Sequence, residues 1–93
     1  MSDWFIAGVW LENQEQDVHF EVTNEDGEQF FFSIAGRLLK ENIKQLGGSL
    51  KDLFYYAEED LLTLAVGLIE SEYLEIEQSY SIKPTQFQKY FRS

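Results

Sequence analysis

One long segment of this chain, Ser49–Glu72, has a clear helical period, and it limits what the rest can fold into. Its apolar residues recur at spacings of three and four, which places them in one stripe along a helix. They are Leu50, Leu53, Phe54, Ala57, Leu61, Leu64, Ala65, Leu68 and Ile69. Ser49 with Asp52 three residues later is close to a capping box and predicts the helix start. A stripe this wide must pack on another layer, and the first third of the chain is available.

The first third of the chain has the two-residue period of β-strands. Trp4–Leu11 is an apolar run rich in aromatic and β-branched residues. Asp17–Thr23 alternates between apolar and polar residues, and Glu28–Ile34 follows a loop that ends with Gly27. These three segments predict an antiparallel three-stranded meander.

The remaining segments complete a small α+β domain. Apolar residues three and four apart predict a helix over residues 35–46, which Gly47 ends. A fourth strand is predicted within residues 73–83, and one capped turn within residues 85–91. The order β-β-β-α-α-β predicts a two-layer sandwich, an antiparallel sheet with the helices packed on one face. Ninety-three residues suffice for one core, so residues 1–93 are predicted to form a single domain.

Such a sandwich has a core and an open sheet face. The predicted core contains Phe20, Phe32, Leu53, Leu61 and Leu68. Strand one is apolar on both sides, so one of its alternating sets must point away from the core. The two sets are Trp4, Ile6 and Trp10, and Phe5, Val9 and Leu11. We expect the outward set, with Phe31, to be covered by a second copy in a weak homodimer or by the C-terminal Phe87, Tyr90 and Phe91.

The acidic residues are concentrated in two stretches. The net charge is −10, and residues 1–28 and 52–77 each contain eight acids and no Lys or Arg. Direct nucleic-acid binding is disfavoured, because phosphate contacts are made mainly by Lys and Arg. A basic protein partner is favoured. The alternative is that the acidity serves solubility alone.

The best candidate for a binding site lies in the middle of the long helical segment. There the apolar residues depart from a single helical stripe, so we predict a kink or an interruption of the helix. Tyr55 and Tyr56 precede Glu58, Glu59 and Asp60 at this irregularity. Aromatic residues beside an acidic rim are typical of protein-binding surfaces, since Tyr and Trp are enriched among the residues that dominate binding energy. We therefore predict these five residues as the partner-binding site.

No catalytic, cofactor or metal site is predicted. The chain contains no Cys, which excludes thiol nucleophiles and thiolate metal sites. His19, its one imidazole, lies between Asp17 and Glu21 on the polar side of a strand. Such a His can act as a base or bind a metal, but a solvated strand face explains the pattern better. The acids from Glu70 to Glu77 lack the Gly-containing loop of a calcium site and the His spacing of a zinc site.

Several short motifs occur at positions that the fold would use for its core. They are Val18-x-Phe20, Gly27 before a strand ending Ser33-Ile34-Ala35-Gly36, Leu53-Phe54, Ala65 and Leu68-Ile69-Glu70. Over residues 10–83 this pattern resembles a family of small proteobacterial domains of unknown function, numbered fourteen-eighty-eight. It departs from that family at the Cys common in strand three, where Phe31 and Phe32 stand. The resemblance implies the same α+β fold and a bacterial source, and it implies no catalytic residues.

These patterns predict a small, acidic, non-enzymatic protein-binding module. An inhibitor or immunity-type protein that covers a basic partner has this character, and the alternative is a homo-oligomeric structural or regulatory domain. The chain starts without the basic region of a secretory signal, and no apolar run approaches the roughly 20 residues of a membrane span. We therefore expect a cytoplasmic protein with no membrane contact.

Overall fold

A computed structural model shows an α+β fold, in which helices cover one face of an open sheet. The structure describes residues 3–43, 49–72, 74–75 and 78–91. The strands there are β1 (Trp4–Glu12), β2 (Asp17–Asn24), β3 (Gln29–Ala35) and β4 (Ser79–Ser81), in the spatial order β1-β2-β3-β4. The helices are α1 (Gly36–Asn42), α2 (Leu50–Tyr56), α3 (Glu58–Glu72) and α4 (Pro84–Phe91). The predicted fold class and the meander of β1, β2 and β3 are confirmed.

The β2–β3 hairpin is held by the side chain of Asn24. Its Oδ1 accepts hydrogen bonds from the backbone N–H groups of Asp26 and Glu28, at 3.0 and 3.1 Å. Its Nδ2 donates to Glu28 Oε1 at 2.8 Å. Gly27 has a φ of +83°, a backbone conformation that residues with a side chain rarely adopt. The loop is therefore specified by its own sequence, as the Gly27 signal predicted.

A β-bulge in β1 decides which of its side chains enter the core. The register with β2 shifts between Ile6 and Gly8, so Ala7 has no direct partner. One extra residue reverses the alternation beyond it. Trp4, Ile6, Val9 and Leu11 consequently pack against the core, while Phe5 and Trp10 lie on the other face. Neither predicted set of alternating residues is correct, because both assumed an uninterrupted strand.

The fourth strand is present but runs parallel to β3, so the sheet is mixed. Phe32 is paired with Tyr80, and the Ile82 N–H donates to the Ser33 carbonyl oxygen at 2.8 Å. The prediction of a wholly antiparallel sheet is therefore wrong in this strand. The reason is the connection: the chain leaves the end of β3 through the helical layer and returns to its beginning. Crossovers of this kind produce parallel pairs.

The helical segment 49–72 has the predicted start and the predicted break. Ser49 Oγ accepts a hydrogen bond from the Asp52 N–H, and Asp52 Oδ2 accepts one from the Ser49 N–H, which completes a capping box. α2 ends at Tyr56 and α3 begins at Glu58. The Leu61 N–H donates to the Ala57 carbonyl oxygen at 2.9 Å, so the second helix starts with almost no gap. α1 is shorter than predicted, and the predicted end at Gly47 lies outside the described residues.

The core lies between the sheet and the helices. Of the predicted core residues, Phe20, Phe32, Leu53 and Leu61 are buried, whereas Leu68 is half-buried. Leu68 borders a surface cleft of about 480 Å³ with Leu74 and Tyr80, near the end of α3. The prediction that Leu68 is buried is thus wrong, because its side chain lies at the rim of the core beside this cleft.

The C-terminal helix belongs to the helical layer. α4 packs against α1 and α3, and Phe87 is fully buried in the same core. The prediction that Phe87 covers the open sheet face is therefore wrong. The side chains of Tyr90 and Phe91, the other two residues predicted to cover that face, lie outside the described part of the chain. The same holds for two of the acids considered as metal ligands, the side chain of Glu72 and the whole of Glu77.

Candidate protein-binding surfaces

The five residues predicted as the binding site lie together where α2 meets α3. Tyr55 and Tyr56 form the last turn of α2, and Glu58, Glu59 and Asp60 form the first turn of α3. Tyr55 is 53% exposed and Tyr56 is 64% exposed, which is high for aromatic side chains. Glu59 and Asp60 are also exposed, and Glu58 is half-buried. We call these five residues the junction patch.

The junction patch is held on buried neighbours. The Tyr55 ring meets the fully buried Phe54 edge to face, with ring centroids 5.7 Å apart. Ala57, between the two helices, is buried and keeps both helix ends against the core. An aromatic side chain supported in this way loses little conformational freedom on binding, which favours affinity.

The acids of the junction patch also have a structural role. Glu58, Glu59 and Asp60 occupy the first turn of α3, where the helix dipole favours negative charge. Each acid at such a position contributes about 0.3–1 kcal/mol to helix stability. Changing these residues therefore affects α3 as well as any partner, and an experiment on the patch needs a control for stability.

A second aromatic group lies on the open side of the sheet. Trp10 of β1 is paired with His19 of β2, and Glu21 of β2 is paired with Phe31 of β3. The Trp10 ring lies 6.0 Å from the His19 ring and 6.4 Å from the Phe31 ring. All four side chains are half-buried. We call Trp10, His19, Glu21 and Phe31 the open-face cluster.

The polar groups around His19 bond to amides. Asp17 Oδ2 accepts a hydrogen bond from Asn13 Nδ2 at 3.3 Å, and Glu21 Oε2 accepts one from Gln29 Nε2 at 2.8 Å. His19 itself lies beside the Trp10 ring. Within the described residues, no group of three or more His, Cys, Asp or Glu side chains is placed to hold a metal ion.

A cleft of about 700 Å³ lies beside the β1–β2 loop. Its walls include Glu15, Asp17, Arg37 and Lys40, so both signs of charge line it. Asn13, Gln14 and Glu15 all have positive φ angles, between 56° and 64°. Side chains disfavour this conformation, so the loop is held by its surroundings. The sequence signals for the cleft were weak, because these charges are far apart along the chain.

Gly36 explains how the β1–β2 loop is attached to the helical layer. Its N–H donates to the Gln16 carbonyl oxygen at 2.8 Å. A Cβ atom at this position would lie 2.5 Å from the same oxygen and 2.6 Å from Leu50 Cδ1. Only glycine allows this approach of two backbone segments.

The open-face cluster was only partly visible in the sequence. Phe31 was expected on the open face and is found there, but Trp10 could be assigned only once the bulge was known. The available signal for this cluster was the polar side of β2, because an aromatic residue paired with that side lies on the open face.

No helix within the described residues has the length and apolarity needed to cross a bilayer.

Comparisons with family models, curated proteins and solved structures give no match for this chain. The resemblance to family fourteen-eighty-eight therefore stays a prediction.

Proposed function

We propose that this protein is a small, non-enzymatic binding module whose junction patch contacts a basic protein. The observation that carries the proposal is the exposure of Tyr55 and Tyr56 directly beside three acids. Tyrosines that are more than half exposed leave apolar area that a partner can cover. The acids would draw a basic partner towards that area.

The charge of the whole chain supports the same proposal. A net charge of −10 attracts a basic protein over long range and repels nucleic acid. An inhibitor or immunity-type protein of bacterial origin, acting in the cytoplasm, would use such a surface to cover a basic target. Under this proposal the contribution of charge is mainly to the association rate, and the tyrosines supply the affinity.

The experiment is a comparison of baits in lysate of the native cell. The wild-type protein is compared with Tyr55→Ala/Tyr56→Ala and with Glu58→Lys/Asp60→Lys. The control is Glu25→Lys/Glu70→Lys, which makes the same charge change at exposed positions outside the patch. The thermal unfolding of every variant is measured as well, so that a loss of binding is compared only between folded proteins. A partner of the patch is retained by the wild type and the control and lost by both patch variants.

The kinetics of the captured protein then test the role of charge. We expect Glu58→Lys/Asp60→Lys to slow association, and salt to do the same for the wild type. The screening length falls from about 10 Å at 0.1 M to about 3 Å at 1 M salt. Equal binding by all three variants, or binding indifferent to salt, would contradict the proposal.

A second candidate function is self-association, which one observation favours. β1 is an edge strand of the sheet, and Phe5 on it is 51% exposed. Edge strands offer unpaired backbone groups to a second chain. A concentration-dependent mass in sedimentation that disappears in Phe5→Glu would support this function. A constant monomer mass at all concentrations would exclude it.

A further inference from the structure

The open-face cluster combines two aromatic rings with a carboxylate. Trp10 and Phe31 lie on the strands that flank β2, with ring centroids 6.4 Å apart. Glu21 lies on β2 between those two strands and pairs directly with Phe31. The cluster therefore offers aromatic surface on both sides of one acidic group.

Gly8 makes room for the Trp10 ring beside Glu21. It pairs with Glu21 on the edge strand and has no side chain of its own, which leaves room for the Trp10 indole next to Glu21. A Cβ atom at Gly8 would lie 3.8 Å from Cζ3 of Trp10, which shows that the indole extends over the glycine. The Trp10 indole therefore lies next to Glu21, where a group bound to the carboxylate would also meet the ring.

The charge around the cluster is negative. The four strands that the structure describes contain no Lys or Arg. Glu12 and Asp17 lie on the same face as Glu21, and Glu21 accepts a hydrogen bond from the neutral side-chain amide of Gln29. A carboxylate has about four acceptor positions, so Glu21 retains capacity for further donors.

A guanidinium group fits these features better than other ligands. It is planar, it stacks on aromatic faces, and it donates two parallel hydrogen bonds to a carboxylate. An ammonium group shares the charge but not the plane. A phosphate would be repelled. A second copy of this chain, which also carries a net charge of −10, would bring acids against acids.

We propose that the open-face cluster binds an arginine side chain of a basic partner protein, with the guanidinium stacked on Trp10 and paired with Glu21. This site is on the face of the sheet away from the helices, and the junction patch is on the helical layer. It therefore does not depend on the function proposed for the junction patch.

The test is a titration of the full chain with acetyl-tetra-arginine amide, followed by two-dimensional NMR. The probe should shift the indole N–H signal of Trp10 and the amide signals of Gly8 and Glu21 in a saturable way. The indole of Trp4 packs with Phe30 on the inner face and serves as an internal reference that should move little. Acetyl-tetra-lysine amide, the matched probe, should bind several-fold more weakly, about threefold to tenfold.

Two isosteric variants distinguish binding at a specific site from non-specific electrostatic attraction. Glu21→Gln keeps the shape and should lower the affinity for the arginine probe about tenfold. Glu12→Gln removes the same charge from the same face and should change it less than about threefold. Equal losses in both variants, or equal binding of the two probes, would overturn the inference.

The same spectra distinguish this site from the junction patch. If the shifts fall on Tyr55 and Asp60, and Glu58→Lys/Asp60→Lys removes them, the inference fails while the proposed function stands. If the open-face shifts persist in that variant and no lysate partner depends on the patch, the inference stands and the proposed function fails.

Discussion

On β3, Phe32 points into the helical layer and is 1% exposed, whereas its neighbour Phe31 points to the open face and is half-buried. Phe32 stacks on Phe20 at 5.6 Å and also meets Tyr80. Among the aromatic contacts of the described residues, Phe31 has one, a T-shaped contact with Trp10. The two faces of this sheet thus carry the same residue type in different surroundings. The inner face is covered by helices and builds stability, and the outer face leaves its aromatic rings available to a partner.

The C-terminal helix gives the largest test of this difference. Deleting residues 85–93 removes Phe87 from the core, and loss of a buried Phe side chain alone costs about 3–5 kcal/mol. We expect the truncated chain to lose its cooperative urea transition. If the truncated chain instead stays folded and dimerises more strongly, α4 covers the outer face after all.

The neighbouring phenylalanines on β3 give a matched pair. Phe32→Ala should lower the free energy of unfolding by about 3–5 kcal/mol, because it leaves a cavity between sheet and helices. Phe31→Ala should cost about 1 kcal/mol, the value of one aromatic contact on a half-exposed face. Urea denaturation of both variants measures the difference. Equal losses would show that the outer face is as well packed as the inner one.

Two leucines of α3 test how far along this helix the buried core extends. Leu61→Ala should cost about 2–5 kcal/mol, as expected for a fully buried leucine. Leu68→Ala should cost less, about 1–2 kcal/mol, since its side chain is partly in solvent at the end of the helix. Thermal unfolding of the two variants checks the ranking. A reversed ranking would place the end of α3 deeper in the core than the structure has it.

The smallest expected effect concerns the polar part of the outer face. Ser33 Oγ and Ser81 Oγ are 3.1 Å apart and connect β3 to β4. Because this hydrogen bond is exposed, Ser33→Ala and Ser81→Ala should be coupled by less than about 1 kcal/mol in a double-mutant cycle. Ser79→Ala, on the same strand opposite Phe31, serves as the control. A coupling above that value would mean that outer-face contacts are needed to hold β4.

Local sequence patterns were sufficient to predict most of the helices and strands. The capping box at Ser49 and Asp52, the break before Glu58 and the hairpin glycine Gly27 were all predicted and are all present. Each depends on contacts between residues close in the chain. The junction patch was predicted for the same reason, since its residues are consecutive and a change of helix exposes them. Its role in binding stays a prediction.

The features that the sequence predicted wrongly depend on residues distant in the chain. The bulge at Ala7 follows from how β1 fits against β2, and it moves Trp10 to the outer face. The parallel direction of β4 follows from the path through the helical layer, and the burial of Phe87 follows from its contact with that layer. An alternating or helical period fixes which side chains share a face. Only the packing of whole elements fixes which face is covered, because burial is a property of the assembled layers.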